Sequence, residues 1–286
     1  MDSLGAKFEF LRGTQNADGG WGYFPGRQSW LEPTAWASLA LHSRGDASAK
    51  GWRLIKTWQK DDGSCRPCAA VGIPNWTVAL AMILGMLHRD ERAVERGVAY
   101  LLSVSGSESS GLSRIAKFLS PDHTDREPRF QGWPWKPGNT AWIEPTAHSV
   151  TALRLAGKMV GASGIAGRIQ SAQSMILHMR CKDGGWNYGA RIALGVPLES
   201  FPETTALALV GLVGRRDIGD AVQHAAGLLS TKQSPLAAAW LRIALRLHGG
   251  QHGRSEEAPP MNAQQDTLLT ALEILGSADG NWRLLV

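Results

Sequence analysis

Three glutamates share one local setting. Glu32 opens Glu32-Pro33-Thr34-Ala35, Glu144 opens Glu144-Pro145-Thr146-Ala147, and Glu203 opens Glu203-Thr204-Thr205-Ala206. A carboxyl group in apolar surroundings resists ionisation and stays protonated near neutrality, so each is a candidate proton donor. The same residues also suit a structural role. A carboxylate in the first helical turn meets the positive end of the dipole and can accept backbone N–H bonds. His148 follows Glu144 by one helical turn, where an imidazole can orient or reprotonate a carboxylate. Cys65 and Cys68 form a Cys-x-x-Cys pair, half of a zinc site or a redox couple. No matched second pair of thiols or imidazoles accompanies them, so no bound metal is expected, and purified protein is expected to hold less than one zinc per chain. An Asp-Asp-x-x-Asp magnesium motif is absent, and no cofactor motif stands out. Trp36, Trp76, Trp142 and Trp240 are assigned to the inner helices described next. With Tyr188 and Phe201 they are the candidate substrate-contacting rings, able either to attract a cation through their faces or to plug the core.

These residues sit in a repeat. Asp18-Gly19-Gly20-Trp21 recurs as Asp183-Gly184-Gly185-Trp186, with weaker copies at Asp62-Gly63-Ser64-Cys65 and Gln131-Gly132-Trp133. Each turn precedes one of the helix starts above, or Asn75-Trp76-Thr77-Val78. Ser234-Pro235-Leu236-Ala237 and Gln265-Asp266-Thr267-Leu268 fit more loosely. Before the turns lie amphipathic stripes such as Leu4, Phe8, Leu11 and Val94, Val98, Leu101. After the helix starts come segments apolar on all sides, which must be buried on all sides. Amphipathic helices alternating with buried ones predict an outer ring around an inner ring. Six inner helices are expected, starting near 33, 76, 145, 204, 235 and 266, with five clear outer helices. Residues 249–264 are expected to form a loop where a sixth outer helix would lie. Helix 268–275 then needs cover from the insertion 105–130, the N-terminal helix or another chain. That insertion is polar apart from residues 115–119 and is expected to be a lid or an interface.

Composition narrows the function classes. The 286 residues are 43% hydrophobic and 19% charged, with net charge +5 and no long apolar run. This excludes a disordered chain, and no membrane span is expected. The charge is diffuse, so nucleic acid is not an expected partner. Three cysteines and an N-terminus without signal-peptide character point to the cytoplasm, with contact at a membrane surface left open.

Gly-Gly-Trp turns, each followed by a buried helix, resemble the repeats of the terpene cyclase and protein prenyltransferase superfamily, which includes squalene-hopene cyclases. The resemblance spans nearly the whole chain. It implies one all-α domain, an α/α toroid of five to six helical hairpins over residues 1–286, with inner helices around an apolar cavity. Class II members carry Asp-x-Asp-Asp-Thr-Ala at an inner-helix start, and its middle Asp is the acid. Alignment on Thr-Ala puts Glu32, Glu144 and Glu203 at that position. Trp30, Trp142 and Phe201 replace the first Asp; Pro33, Pro145 and Thr204 replace the last. Asp122-His123-Thr124-Asp125 has a similar pattern but no following Thr-Ala helix. The resemblance implies an isoprenoid or other apolar small-molecule partner and acid-initiated cyclisation, with Glu144 the favoured acid. The alternatives are a non-catalytic isoprenoid-binding toroid or a scaffold subunit, in a homo- or hetero-oligomer, and a polysaccharide-cleaving toroid, which rests on Gly132-Trp133-Pro134 alone. The three glutamates are expected at one level of the inner ring, at the end that carries the Gly-Gly-Trp turns.

Overall fold

A computed structural model describes residues 3–42, 44–111, 115, 126–249 and 266–286. Among these residues there are eleven α-helices. Five are outer: α1 (Ser3–Gly13), α3 (Ala47–Trp58), α5 (Glu91–Ser103), α7 (Ile165–His178) and α9 (Gly219–Leu229). Six are inner: α2 (Leu31–Ala40), α4 (Val78–Leu87), α6 (Ile143–Ala156), α8 (Pro202–Gly211), α10 (Pro235–Leu247) and α11 (Thr267–Leu275). Each inner helix packs on the next, and α11 packs back on α2, so the inner ring is closed. The chain is an α/α toroid, and all six expected inner-helix starts are found within about two residues.

Sequence explains the two rings. Val78 to Gly85 of α4 and Thr204 to Gly211 of α8 are buried without a break, as a helix enclosed by neighbours requires. Outer α3 buries only a stripe that includes Gly51, Trp52, Ile55 and Trp58.

The repeat tryptophans fasten one ring to the other. The Trp21 indole donates to the Leu11 carbonyl at the end of α1 (2.7 Å), while its backbone N–H donates to Thr34 Oγ1 at the start of α2 (2.9 Å). Trp133 does the same with Leu101 and Thr146 (2.9 Å each), and Trp186 with Ile176 (2.6 Å) and Thr205 (3.0 Å). Both glycines of the turn are needed. Gly184 has φ +100, in the left-handed region, and a Cβ on Gly185 would lie 2.5 Å from both Ser200 Oγ and Thr205 Oγ1.

A second contact runs around the ring. Leu31 N–H donates to the Pro67 carbonyl, Trp76 to Trp135, Ile143 to Tyr188 and Thr267 to Tyr23, at 2.8 to 3.1 Å. Each acceptor lies two residues after a repeat Trp or its Cys65 counterpart. The last of these bonds joins the end of the chain to its beginning.

The N-terminal helix covers α11, which has no outer hairpin partner among the described residues. Helix α1 packs on α11, and Lys7 Nζ meets Glu273 Oε2 at 2.8 Å with both side chains buried. A C-terminal 3-10 turn, Asn281–Leu285, also packs on α11, α10 and α2. Asn281 Nδ2 donates to the carbonyls of Leu39, Ala40 and His42, and Arg154 donates to that of Leu285. The turn thus lies across the C-terminal ends of the inner helices. Of the 105–130 insertion, a 3-10 turn at Ser107–Ser109 is anchored by Glu108, whose carboxylate accepts the Ala141 N–H. Most of that insertion, the Asp122–Asp125 pattern, and residues 250–265 of the expected 249–264 loop lie outside the described residues.

Candidate functional site

The inner helices present their N-termini, and the outer helices their C-termini, at one end of the toroid. The repeat places Glu32, Glu144 and Glu203 there, each two residues inside the helix start. The aromatic residue before each start, Trp30, Trp142 or Phe201, is extended and forms the N-cap without a side-chain cap bond. Among the described residues, Glu32 accepts a hydrogen bond from Tyr23.

Tyr23 donates its phenolic proton to Glu32 Oε2 at 2.5 Å. Burial raises the Glu32 pKa; the Tyr23 bond opposes that rise, and the charges of Asp266 and Glu203 add to it. Glu144 is pushed up to about 8, first by burial and then by Glu32 and Glu203. Glu203 is also raised by burial. Each glutamate is the second residue of its inner helix, so the three stand at equivalent positions at the turn-bearing end. The Glu144 side chain is 18% exposed.

His148 lies one turn deeper on α6. Its Nε2 is 4.0 Å from Glu144 Oε1, beyond hydrogen-bond reach, and has no partner among the described residues. Burial pushes the imidazole down to about 3, so it is neutral at physiological pH. The expected orienting bond to Glu144 is thus not formed here. The ring is enclosed instead: Trp76 stacks on it at 4.9 Å, and Trp36 and Trp240 flank it at 5.6 Å each. Trp36 meets Trp240 edge-on at 5.2 Å. All four side chains are buried, and ring packs on ring at this level of the barrel.

The other candidate rings stand at the rim. Trp142 forms part of a short ladder, Trp133–Pro134 (β1) with Ala141–Trp142 (β2), rather than an inner helix. Gly189 lies against its ring: a Cβ there would come within 3.0 Å. Trp76 likewise precedes α4 instead of lying within it, and Trp135 packs on it edge-on at 5.6 Å. Tyr188 and Phe201 are exposed and pack on each other at 5.1 Å. An open depression of about 590 Å³ is lined by Tyr23, the hydrogen-bond partner of Glu32, with Phe24, Gly26, Arg27, Gln28 and Trp30.

Sequence reasoning missed Tyr23 and Asp266. A signal for Tyr23 was present: like Trp135 and Tyr188 it lies two residues after a repeat Trp, the position whose carbonyl stitches adjacent hairpins. Cys65 and Cys68 are buried free thiols, and burial raises Cys65 to about 12. Among the described residues, no group of three or more His, Cys, Asp or Glu side chains could hold a metal ion.

No family model matches the sequence, and no curated protein matches it. Solved structures do. The type II terpene cyclase MstE from Scytonema is 17% identical, with TM-score 0.56 over 94% of this chain and 76% of that one. The endoglucanase Cel10 from Klebsiella pneumoniae, a family 8 glycosyl hydrolase, is 13% identical, with TM-score 0.62 over 95% and 97%. An α-amylase from Clostridium perfringens is 8% identical, with TM-score 0.61 over 94% and 95%. At these identities the likeness establishes the toroid fold, terpene-cyclase-like in architecture, and assigns no activity.

Proposed function

We propose that the toroid takes an unsaturated, isoprenoid-type chain at its aromatic mouth, and that Glu144 donates the proton that starts cyclisation. The feature that supports this reading is the setting of Glu144, on the second position of an inner helix beside Trp142, where burial followed by the charges of Glu32 and Glu203 pushes its carboxyl up to about 8 and so favours the protonated acid. In the reaction the Glu144 O–H bond breaks and a C–H bond forms at one end of an alkene, leaving a carbocation. The next double bond supplies its electron pair to close a ring. A later loss of a proton from carbon ends the sequence, so the product is an isomer of the substrate. Trp142, Trp30 and the Tyr188–Phe201 pair offer ring faces to the cation, each worth about 0.5–2 kcal/mol depending on desolvation. Neutral His148 adds no opposing positive charge. Tyr23 and Glu32 hold a second proton close by, a source from which Glu144 can be reprotonated.

Glycoside cleavage, the activity named for two of the similar structures, commonly pairs one protonated carboxyl with one ionised one. Here burial raises all three glutamates, and their neighbours are aromatic, which favours proton donation to an apolar substrate. The test is incubation with linear polyprenols and polyprenes in D2O. An enzyme of this kind gives products of the substrate's composition carrying one deuterium per molecule, introduced at the initiating carbon. Saturable binding without conversion would favour the isoprenoid-binding toroid, and neither binding nor conversion the scaffold.

A further inference from the structure

Three of the buried rings follow one pattern. Trp36, His148 and Trp240 are each the sixth residue of an inner helix, α2, α6 and α10 respectively. Around the closed ring, α2 packs on α4, α4 on α6, α6 on α8, α8 on α10, α10 on α11 and α11 on α2. The three side chains therefore come from helices that are not neighbours in that order. Yet they meet: Trp36 and Trp240 at 5.2 Å, and each of them with His148 at 5.6 Å. Side chains from non-adjacent members of a closed ring can meet one another only across its interior. Trp76, just before α4, stacks on His148 at 4.9 Å and adds a fourth ring. Trp36, His148, Trp240 and Trp76 are 1%, 1%, 4% and 6% exposed, so these rings shut the bore of the barrel at this level.

The helices fix the depth of this floor. Glu32 and Glu144 stand four residues before Trp36 and His148, so acid and ring lie on one helix face, one turn apart. Four residues of helix put the floor about 6 Å below the acids. That depth suits a single carbocycle, not a folded chain of several.

The choice of rings is not explained by local stability. Trp36 Nε1 and His148 Nε2 have no hydrogen-bond partner among the described residues, a penalty that an aliphatic floor would not incur. The sixth positions of α8 and α11 are indeed leucines, Leu207 and Leu272, and both are buried. An indole spans more of the interior than a leucine does, and that reach is what closes the bore.

We propose that this floor makes the site specific for the free end of an isoprenoid chain and indifferent to the chain's length. The inference rests on the reading above, in which such a chain enters at the mouth and Glu144 protonates it. Only the terminal segment descends to the floor, and the remaining units stay in the mouth and outside it. Cyclisation then closes one ring at that end. Glu144 gives its proton to the terminal alkene, the next alkene closes on the cation, a proton leaves carbon, and the tail keeps its double bonds. The substrate class is a polyprenyl chain with a free end, including one whose other end is attached to a larger group.

Calorimetric titration with geraniol, farnesol and geranylgeraniol, which lengthen the chain stepwise, tests this without requiring turnover. Wild type should bind all three within about fivefold of one another, because the added units bury little further surface. A bore open along its axis would bury each added unit and tighten binding by roughly a hundredfold or more per unit. Trp240→Ala should open the floor and bind geranylgeraniol at least about tenfold tighter than geraniol. Trp240→Leu, which removes less volume, should show the same trend more weakly. Where product forms, wild type should give one ring from every chain length. Wild-type affinity that climbs steeply with length, polycyclic wild-type products, or folded variants that keep the flat wild-type profile overturn this inference and leave the Glu144 reading standing. Failure of all three prenols to bind overturns both.

Discussion

Glu144→Gln should lose at least about a thousandfold in polyprene turnover while becoming more stable than wild type in alkaline solution. Both effects come from one proton. The amide fills the same volume but cannot release a proton to an alkene. The stability effect follows from the raised pKa, about 8 against an ordinary 4.5. Between those values the folded protein keeps the proton and the unfolded chain gives it up. Stability contributed by the protonated group is therefore fully present below about pH 4.5 and is lost as pH rises through 8, on the order of a few kcal/mol. Glutamine has no such loss. The melting temperatures of variant and wild type should converge below about pH 4.5 and separate progressively up to about pH 8, with the variant higher. Turnover by wild type should fall as pH rises through about 8. A variant that melts lower at all pH values and turns over as before would show that Glu144 braces the fold and does no chemistry.

Lys7→Met should destabilise the toroid by about 3–5 kcal/mol, because it strands the Glu273 carboxylate in the joint between α1 and α11. In a chain of this size that corresponds to a fall of very roughly 6–15 °C in melting temperature. The ion pair is almost wholly enclosed, and neither Lys7 Nζ nor Glu273 Oε2 has a further hydrogen-bond partner among the described residues. Burial raises the Glu273 pKa even with Lys7 beside it, so desolvation outweighs the attraction there. A pair in that condition is costly to break and cheap to replace. Lys7→Met with Glu273→Leu should recover most of the loss. Thermal denaturation of the two single variants and the double one measures the coupling. Equal losses that simply add would mean that the two side chains do not act as a pair. The position matters beyond stability, since α1 covers the inner helix whose own outer partner is missing from the described residues.

Most of the architecture was legible in the residues. Helices apolar all round had to be inner ones, and Gly-Gly-Trp turns and Glu-Pro-Thr starts recurred in a fixed order. The tryptophan brace follows from that spacing, since one side chain must reach the preceding outer helix while its backbone meets the following inner one. The common level of Glu32, Glu144 and Glu203 follows from their equivalent places in the repeat. What those carboxyls bond to did not. The sequence allows a cap, but Glu32 instead accepts the hydroxyl of Tyr23, nine positions earlier on the preceding turn. An N-cap reading depends on one residue's backbone angles, which the residue type biases without fixing.

The local sequence determined which segments are helical, which are inner, and how far each acid stands from its helix start. These are properties of neighbours a few residues apart, set by periodicity and turn chemistry. Ring closure decided the rest. Trp36, His148 and Trp240 come from three inner helices and Trp76 from the loop before α4, and their meeting depends on how far each helix is rotated. That rotation is set when α11 packs on α2, when Thr267 N–H finds the Tyr23 carbonyl, and when Asn281 bonds to Leu39. These contacts join residues more than two hundred positions apart. No periodicity encodes them, because the free energy that selects one rotation over another appears only once the whole ring excludes water.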